Sequence, residues 1–84
     1  MDKSAIISTL TDVVRKVLDD PSIIITPETK AEDVENWDSL NHVFIVVEVE
    51  QRFGIKFQAA EMEELKNVGE LTDLIARRLA KTQG

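Results

Sequence analysis

Apolar residues recur at intervals of three and four along most of this sequence, and that spacing constrains the fold more than any other feature. The first such stretch runs from about Ser4 to Asp19, and Pro21 ends it. Its apolar positions are Ile6, Ile7, Leu10, Val13, Val14, Val17 and Leu18. This spacing gathers apolar side chains on one face of an α-helix, whereas a half-buried strand would alternate with a period of two. We therefore predict an amphipathic helix that packs its apolar face against other elements.

A second helix is predicted from Ser39 to Phe53. Either Asp38 or Ser39 could serve as its N-cap, since both side chains can accept a hydrogen bond from a free amide of the first turn. Gly54 directly follows the helix, where a residue with left-handed backbone conformation is favoured. The boundaries of this helix are thus marked at both ends.

Two further helices are predicted downstream. Ala59 to about Leu65 is a short helix rich in Glu and Met, and Asn67 caps a last helix from Val68 to about Lys81. The predicted inner face of the last helix consists of Val68, Leu71, Leu74, Ile75 and Leu79. Strand signals are nearly absent, so the predicted fold is all-α: a four-helix bundle with three longer helices, one short third helix and a long first loop.

The segment from Pro21 to Asp38 has no sustained apolar period and is predicted to be that long loop, with one short helical turn. We expect its apolar residues to pin it to the core; they are Ile23, Ile24, Ile25, Val34 and Trp37. Loops longer than about 12–15 residues are uncommon in compact domains and are often functional.

Composition narrows the possible functions. The 84 residues suit one domain, 1–84, and the net charge of −6 disfavours nucleic-acid binding and favours partners with basic patches. The chain has no cysteine, which excludes disulfides and thiolate metal sites. The start of the sequence lacks the pattern of a signal peptide, and apolar runs fall far short of the roughly 20 residues that span a bilayer. We expect a cytoplasmic monomer without a membrane partner.

Few residues could carry enzyme chemistry. His42 is the one histidine, so no typical zinc site can be assembled, and the three glycines are too far apart to form a phosphate-binding loop. Ser39 and His42 would be neighbours on one helix, but nothing in the sequence supplies an oxyanion hole or a substrate cleft for a hydrolase. We interpret His42 as a surface or half-buried helix residue and predict that the chain is not an enzyme.

The pair Asp38-Ser39 allows two interpretations. It could be only a helix cap, which is a common role for this dipeptide before an apolar helix. Alternatively, Ser39 is a modification site, since its hydroxyl stands at a helix start after a long loop. A phosphodiester on Ser39 would lie near the positive end of the helix dipole, and Asp38 could contact a divalent cation during its transfer.

The pattern around this pair resembles acyl carrier proteins and the related peptidyl carrier domains over nearly the whole chain. The matching segments are WDSLNHVFIVVEVEQRFGIKF and ELKNVGELTDLI. In that family an Asp-Ser-Leu motif opens the second helix, and its serine bears 4′-phosphopantetheine. The resemblance implies that Ser39 is the attachment site for this cofactor and that Asp38 contacts magnesium transiently during loading, with no stable metal site. The arm would supply the thiol that the chain itself lacks.

Steps of 100° per residue divide the second helix into two apolar stripes. The predicted core stripe consists of Ile45, Val46, Val49 and Phe53. The outer stripe, roughly opposite, consists of Leu40, Val43, Phe44 and Val47. Two interpretations of the outer stripe stay open: the long loop covers it, or it is an exposed contact surface beside Ser39.

The resemblance also implies where partners bind, because partner enzymes of the family dock on the second helix and the loop before it. The expected partners are a phosphopantetheinyl transferase and acyl-loading and acyl-transferring enzymes with basic or apolar docking patches. The predicted contact residues are Asp38, Leu40, Asn41, Val43, Phe44, Val47 and Glu48.

The second helix departs from the housekeeping fatty-acid carriers, whose outer face is strongly acidic. Asn41, Phe44 and Arg52 interrupt that pattern here, while Glu48 and Glu50 remain. This favours a dedicated carrier of acyl thioesters for one lipid or secondary-metabolite pathway. Two alternatives stay open: an aminoacyl or peptidyl carrier that uses the same serine, and an unmodified helical interaction module in which Asp38 and Ser39 are only caps.

Overall fold

The computed structural model describes residues 2–83, with side chains through residue 81. Its helices are α1 (Lys3–Leu18), α2 (Ser39–Phe53), α3 (Ala59–Glu63) and α4 (Val68–Gln83), and a 3₁₀ turn at Ala31–Asp33 interrupts the long loop between α1 and α2. No strand occurs within the described residues, and none of their helices is both long and apolar enough to cross a bilayer. The predicted all-α four-helix bundle is confirmed.

The first helix lies one residue earlier than predicted at each end. Asp2 is its N-cap, and the Asp2 carboxylate accepts a hydrogen bond from the Ala5 amide at 2.8 Å. Asp19 adopts a left-handed conformation with φ of 54°, and its amide donates to the carbonyls of the last turn. The helix therefore ends at Leu18 through a residue in the left-handed region, before Pro21 is reached.

The short third helix ends at Glu63 rather than at Leu65 as predicted. The chain turns after Glu63, and Leu65 lies partly buried against the core instead of continuing the helix. Glu61 holds this helix in place, because it accepts a hydrogen bond from the Gln58 amide at 2.9 Å and forms an ion pair with Arg78 of α4. The bond from Arg78 is the main reason that the pKa of Glu61 lies below its usual value.

The core lies where α1 packs against both α2 and α4. On α4 the predicted inner face is buried in full, since all five of its residues are at most 9% exposed. On α2 the core stripe is anchored by Ile45 and Val49, which are 1% and 0% exposed. Burying one such side chain contributes about 1.5–3 kcal/mol, so these two residues fix which face of α2 turns inward.

The long loop contacts the core through four of the five apolar residues expected to do so. Ile25 is buried, and Ile23, Val34 and Trp37 pack partly buried against the core. The prediction was wrong for Ile24, which is 76% exposed. Neighbouring side chains in extended backbone point to opposite sides, so Ile23 and Ile25 cannot face inward together with the residue between them.

The same loop caps the start of α4. The amides of Val68 and Gly69 donate to the carbonyls of Thr29 and Pro27 at 2.8 and 2.7 Å, and the Asn67 side chain accepts from the Glu70 amide at 2.9 Å. Three amides that would otherwise lack a partner in the first turn are thereby satisfied. The loop that precedes Ser39 is thus tied to the far helix of the bundle.

Candidate functional site

Ser39 is the first residue of α2, and Asp38 is its N-cap. The Asp38 backbone is extended, and its Oδ1 atom accepts a hydrogen bond from the Asn41 amide at 2.8 Å. The sequence left open which of the two residues caps the helix, and the geometry assigns the cap to Asp38. Ser39 is exposed, and its hydroxyl makes no hydrogen bond within the part of the chain that the structure describes.

The end of the loop is fastened to the start of α2 by Asn36. Its backbone is left-handed with φ of 71°, a conformation that Asn tolerates better than most residues. The Asn36 carbonyl accepts hydrogen bonds from the Asn41 side chain at 2.8 Å and from the Asp38 amide at 2.9 Å. Asn41, predicted as a partner contact, therefore also holds the approach to Ser39 in shape.

Trp37 and His42 form a second link between the loop and α2. The indole Nε1–H of Trp37 donates to His42 Nδ1 at 3.0 Å, and the two rings stack with centroids 6.2 Å apart. His42 is half-buried, as predicted, and burial lowers its pKa. Nothing in the sequence predicts this pair except that the two residues lie five positions apart.

The Trp37–His42 bond removes the last support for a Ser39–His42 hydrolase. Because an indole N–H can only donate, His42 Nδ1 must be the acceptor, and the neutral ring then carries its proton on Nε2. Neither ring nitrogen is left to take a proton from the Ser39 hydroxyl, which general-base catalysis requires.

Ser39 borders an open groove of about 620 Å³ between the loop, α2 and α3. The other residues that line this groove are Ala31, Trp37, Asp38, His42, Val43 and Glu63. A modifying enzyme or an attached arm can therefore approach Ser39 from the side of the loop.

The outer stripe of α2 is exposed. Its four residues, Leu40, Val43, Phe44 and Val47, are 66%, 55%, 52% and 43% exposed, respectively. The interpretation in which the long loop covers this stripe is wrong, because all of the loop's large apolar residues except the exposed Ile24 pack against the core instead. A contiguous apolar surface begins next to Ser39 and runs along the helix.

The acidic residues of α2 are bound within the molecule. Glu48 pairs with Lys16 of α1 at 3.2 Å and with Arg52 at 3.0 Å, and hydrogen bonds from these two cations lower the pKa of Glu48. Glu50 accepts a hydrogen bond from the Phe57 amide at 2.8 Å. The spacing of four between Glu48 and Arg52 could have predicted one of these pairs, but not the contact to a different helix.

Exposed carboxylates lie instead on the loop before Ser39. Glu32, Glu35 and Asp38 are exposed, although Glu32 pairs with Lys30 at 4.0 Å, and Asp33 accepts a hydrogen bond from the Lys30 amide at 3.0 Å. In residues 2–83 no three His, Asp or Glu side chains come together in a way that could hold a metal ion. The approach to Ser39 is thus acidic on the loop side and apolar on the helix side.

The site fits a covalently attached phosphodiester arm. The hydroxyl of Ser39 is accessible, and the positive end of the α2 dipole favours an anion at this position. The groove gives the arm a place to leave the helix without displacing a core side chain.

Comparisons with known proteins agree with this geometry. The family described as Phosphopantetheine attachment site matches residues 8–75. Acyl carrier proteins from Acidothermus cellulolyticus and Thermosynechococcus vestitus are 33% and 32% identical to the chain. The first alignment covers 90% of both chains, and the second covers 95% of this chain and 99% of its relative.

A solved structure is similar over the same range. The solution NMR structure of holo acyl carrier protein from Geobacter metallireducens superposes with a TM-score of 0.85 at 44% sequence identity, covering 92% of this chain and 88% of that one. The chain therefore belongs to the acyl carrier protein family, whose members are carriers rather than enzymes and hold their cargo on covalently attached 4′-phosphopantetheine.

Proposed function

We propose that Ser39 is the residue that bears the 4′-phosphopantetheine arm. The observation that carries this proposal is the division of roles at the start of α2: Asp38 caps the helix, and the Ser39 hydroxyl is left exposed and unbonded within the described residues. Attachment at Ser39 therefore costs the fold no hydrogen bond. Asp38 stands next to the hydroxyl, where it can contact the magnesium ion of the loading reaction.

The test is the intact mass of the protein after incubation with coenzyme A and a phosphopantetheinyl transferase. We expect one added phosphopantetheine on the wild-type chain and none on the Ser39→Ala variant. Ser8→Ala is a matched control, since Ser8 is also an exposed helix serine, and it should load like the wild type. Failure of the wild type to load, while a control carrier loads, would leave the unmodified interaction module as the function.

We further propose that the chain serves a dedicated acyl pathway and that its partner enzymes dock on the outer stripe of α2. The exposure of Phe44 and Val47 supports this, as does the engagement of Glu48 in bonds within the bundle. A partner that fits this surface offers an apolar patch, with basic residues only where it meets the acidic loop beside Ser39.

A charge placed on the stripe tests the docking surface. Phe44→Glu should slow acyl transfer to a cognate partner by about tenfold or more, because the partner's apolar patch would then face a carboxylate. Gln51→Glu adds the same charge at an exposed position further along α2 and should leave the rate nearly unchanged. Equal rates for wild type and Phe44→Glu would place the docking surface elsewhere.

An aminoacyl or peptidyl cargo would use the same serine and the same arm. The enzyme that charges the thiol decides between these cargoes, so the discriminating observation is which acid a cognate loading enzyme transfers to the holo protein.

A further inference from the structure

Two depressions lie back to back at the start of α2. The first is the groove that borders Ser39. The second is a smaller pocket of about 60 Å³ beneath the loop, with Val68 and Leu71 of α4 in its wall. Three residues line both depressions: Ala31, Trp37 and His42. These three side chains are therefore the wall between the groove and the inner pocket.

The inner pocket suits an apolar guest but is too small for one as it stands. Its deepest residues, Val68 and Leu71, are 3% and 5% exposed, and its volume corresponds to only about two water molecules. An acyl chain could therefore enter only if the pocket became larger. Trp37 is the largest side chain of that wall, and it belongs to the loop rather than to a helix.

A hydrogen bond holds the Trp37 ring, which also packs against the core, beside His42. The indole N–H donates to His42 Nδ1 at 3.0 Å, which joins the loop to the first turn of α2 across the wall. The charged groups that border the pair are Asp38 and Glu63 on the groove side and Lys66 on the side of the inner pocket. Removing the bond would free the indole to swing away from His42.

We propose that Trp37 and His42 form a partition that keeps the cargo of the Ser39 arm in the outer groove and out of the pocket beneath the loop. This inference rests on the proposed attachment at Ser39. A cargo held in the groove stays next to the outer stripe of α2, where an enzyme docked on Phe44 and Val47 can reach it. The pair acts as a positioning device and takes no part in chemistry.

The test compares amide chemical shifts of the isotope-labelled holo protein with and without an octanoyl group on the arm. In the wild type, loading should shift the amides of Val43 and Glu63 in the groove and leave those of Val68 and Leu71 unchanged. Trp37→Phe removes the donor and His42→Phe removes the acceptor, and each keeps an aromatic ring. In both variants, octanoyl loading should shift the Val68 and Leu71 amides several-fold more than in the wild type.

Ile24→Ala is the matched control, because Ile24 is an apolar loop residue that lines neither depression. It should behave like the wild type. The partition would be overturned if octanoyl loading shifted the amides of Val68 and Leu71 in the wild type. It would also be overturned if Trp37→Phe and His42→Phe showed the same amide shifts as the wild type. A response in Trp37→Phe without one in His42→Phe would overturn the role of the hydrogen bond. A chain whose intact mass shows no arm would overturn the proposed function itself, which separates that failure from failure of the partition.

Discussion

The first turn of α2 gives neighbouring side chains different tasks. Asp38 satisfies a backbone amide, Asn41 bonds back to the loop, and the Ser39 hydroxyl remains exposed. Helix-capping preferences alone allow either Asp38 or Ser39 to take the first task, because both side chains have an oxygen at the right reach. In the structure a left-handed turn at Asn36 precedes the extended backbone of Asp38, and Asp38 rather than Ser39 occupies the N-cap position.

His42 should titrate below the usual histidine pKa of about 6.5. Protonation of His42 should therefore change the stability of the fold. Burial lowers its pKa, and a protonated Nδ1 can no longer accept from Trp37. Folding favours the neutral form of His42, so the contribution of His42 to the stability of the fold is complete above the pKa of the unfolded state. This contribution is lost progressively as the pH falls from about 6.5 toward the lower pKa of the folded state.

The chain has one tryptophan and one histidine, so both groups can be followed without assignment ambiguity. An NMR titration of the imidazole should give a midpoint below that of a histidine in a short peptide, with the Trp37 indole resonance changing at the same midpoint. Thermal unfolding should show that the wild type becomes less stable between pH 7.5 and 5.5. This loss of stability should be absent from His42→Phe over the same range. A midpoint at or above 6.5 would contradict the prediction.

At the scale of the elements, the helices were predictable and the course of the loop was not. The second helix has the predicted limits because Asp38 and Gly54 mark its ends, and Gly54 does adopt the expected left-handed conformation. The predicted short helical turn is present at Ala31–Asp33. The hydrogen bonds from the loop to the start of α4 join residues about 40 positions apart, and no local sequence pattern predicts such contacts.

Gly69 is the point at which this long-range junction can be tested. A Cβ atom at Gly69 would lie 2.9 Å from the Pro27 carbonyl oxygen, closer than the loop backbone allows. Gly69→Ala should therefore destabilise the protein by about 1–3 kcal/mol, although alanine is the better helix former. Denaturant unfolding gives the free energy, and hydrogen exchange of the Val68 and Gly69 amides reports whether the junction itself has opened.

Gly54→Ala supplies the comparison for that experiment. Its Cβ atom would meet nothing within 4 Å, and its cost arises only from the positive φ of 66°. It should lower stability by about 1 kcal/mol and leave exchange at the loop–α4 junction unchanged. If Gly69→Ala were as stable as the wild type, the loop would have to move away at Pro27, and the junction would not hold the loop rigidly against α4.

At the scale of the whole molecule, the net charge of −6 is a poor guide to the docking surface. The two carboxylates on α2, those of Glu48 and Glu50, are bound by Lys16, Arg52 and the Phe57 amide. Two more, those of Glu61 and Asp73, pair with Arg78 and Lys3 at the α3 and α4 side of the bundle. The sequence shows how many charges exist, but their pairing depends on which helices are neighbours.

The distribution of charge predicts how partner binding responds to salt. An interface centred on the outer stripe of α2 is held by burial of apolar surface, which salt does not weaken, whereas attraction to the acidic loop is screened. For acyl transfer to a cognate partner, raising NaCl from about 50 to 500 mM should change KM by less than about threefold.

Loading by a transferase that approaches Ser39 past Glu32 and Glu35 should be the more sensitive of the two reactions. The paired measurement is KM against salt for both enzymes, with Glu35→Gln as the variant that should flatten only the response of the loading reaction. A steep salt dependence of the acyl transfer, abolished by Glu35→Gln, would show that the loop rather than the stripe recruits the partner.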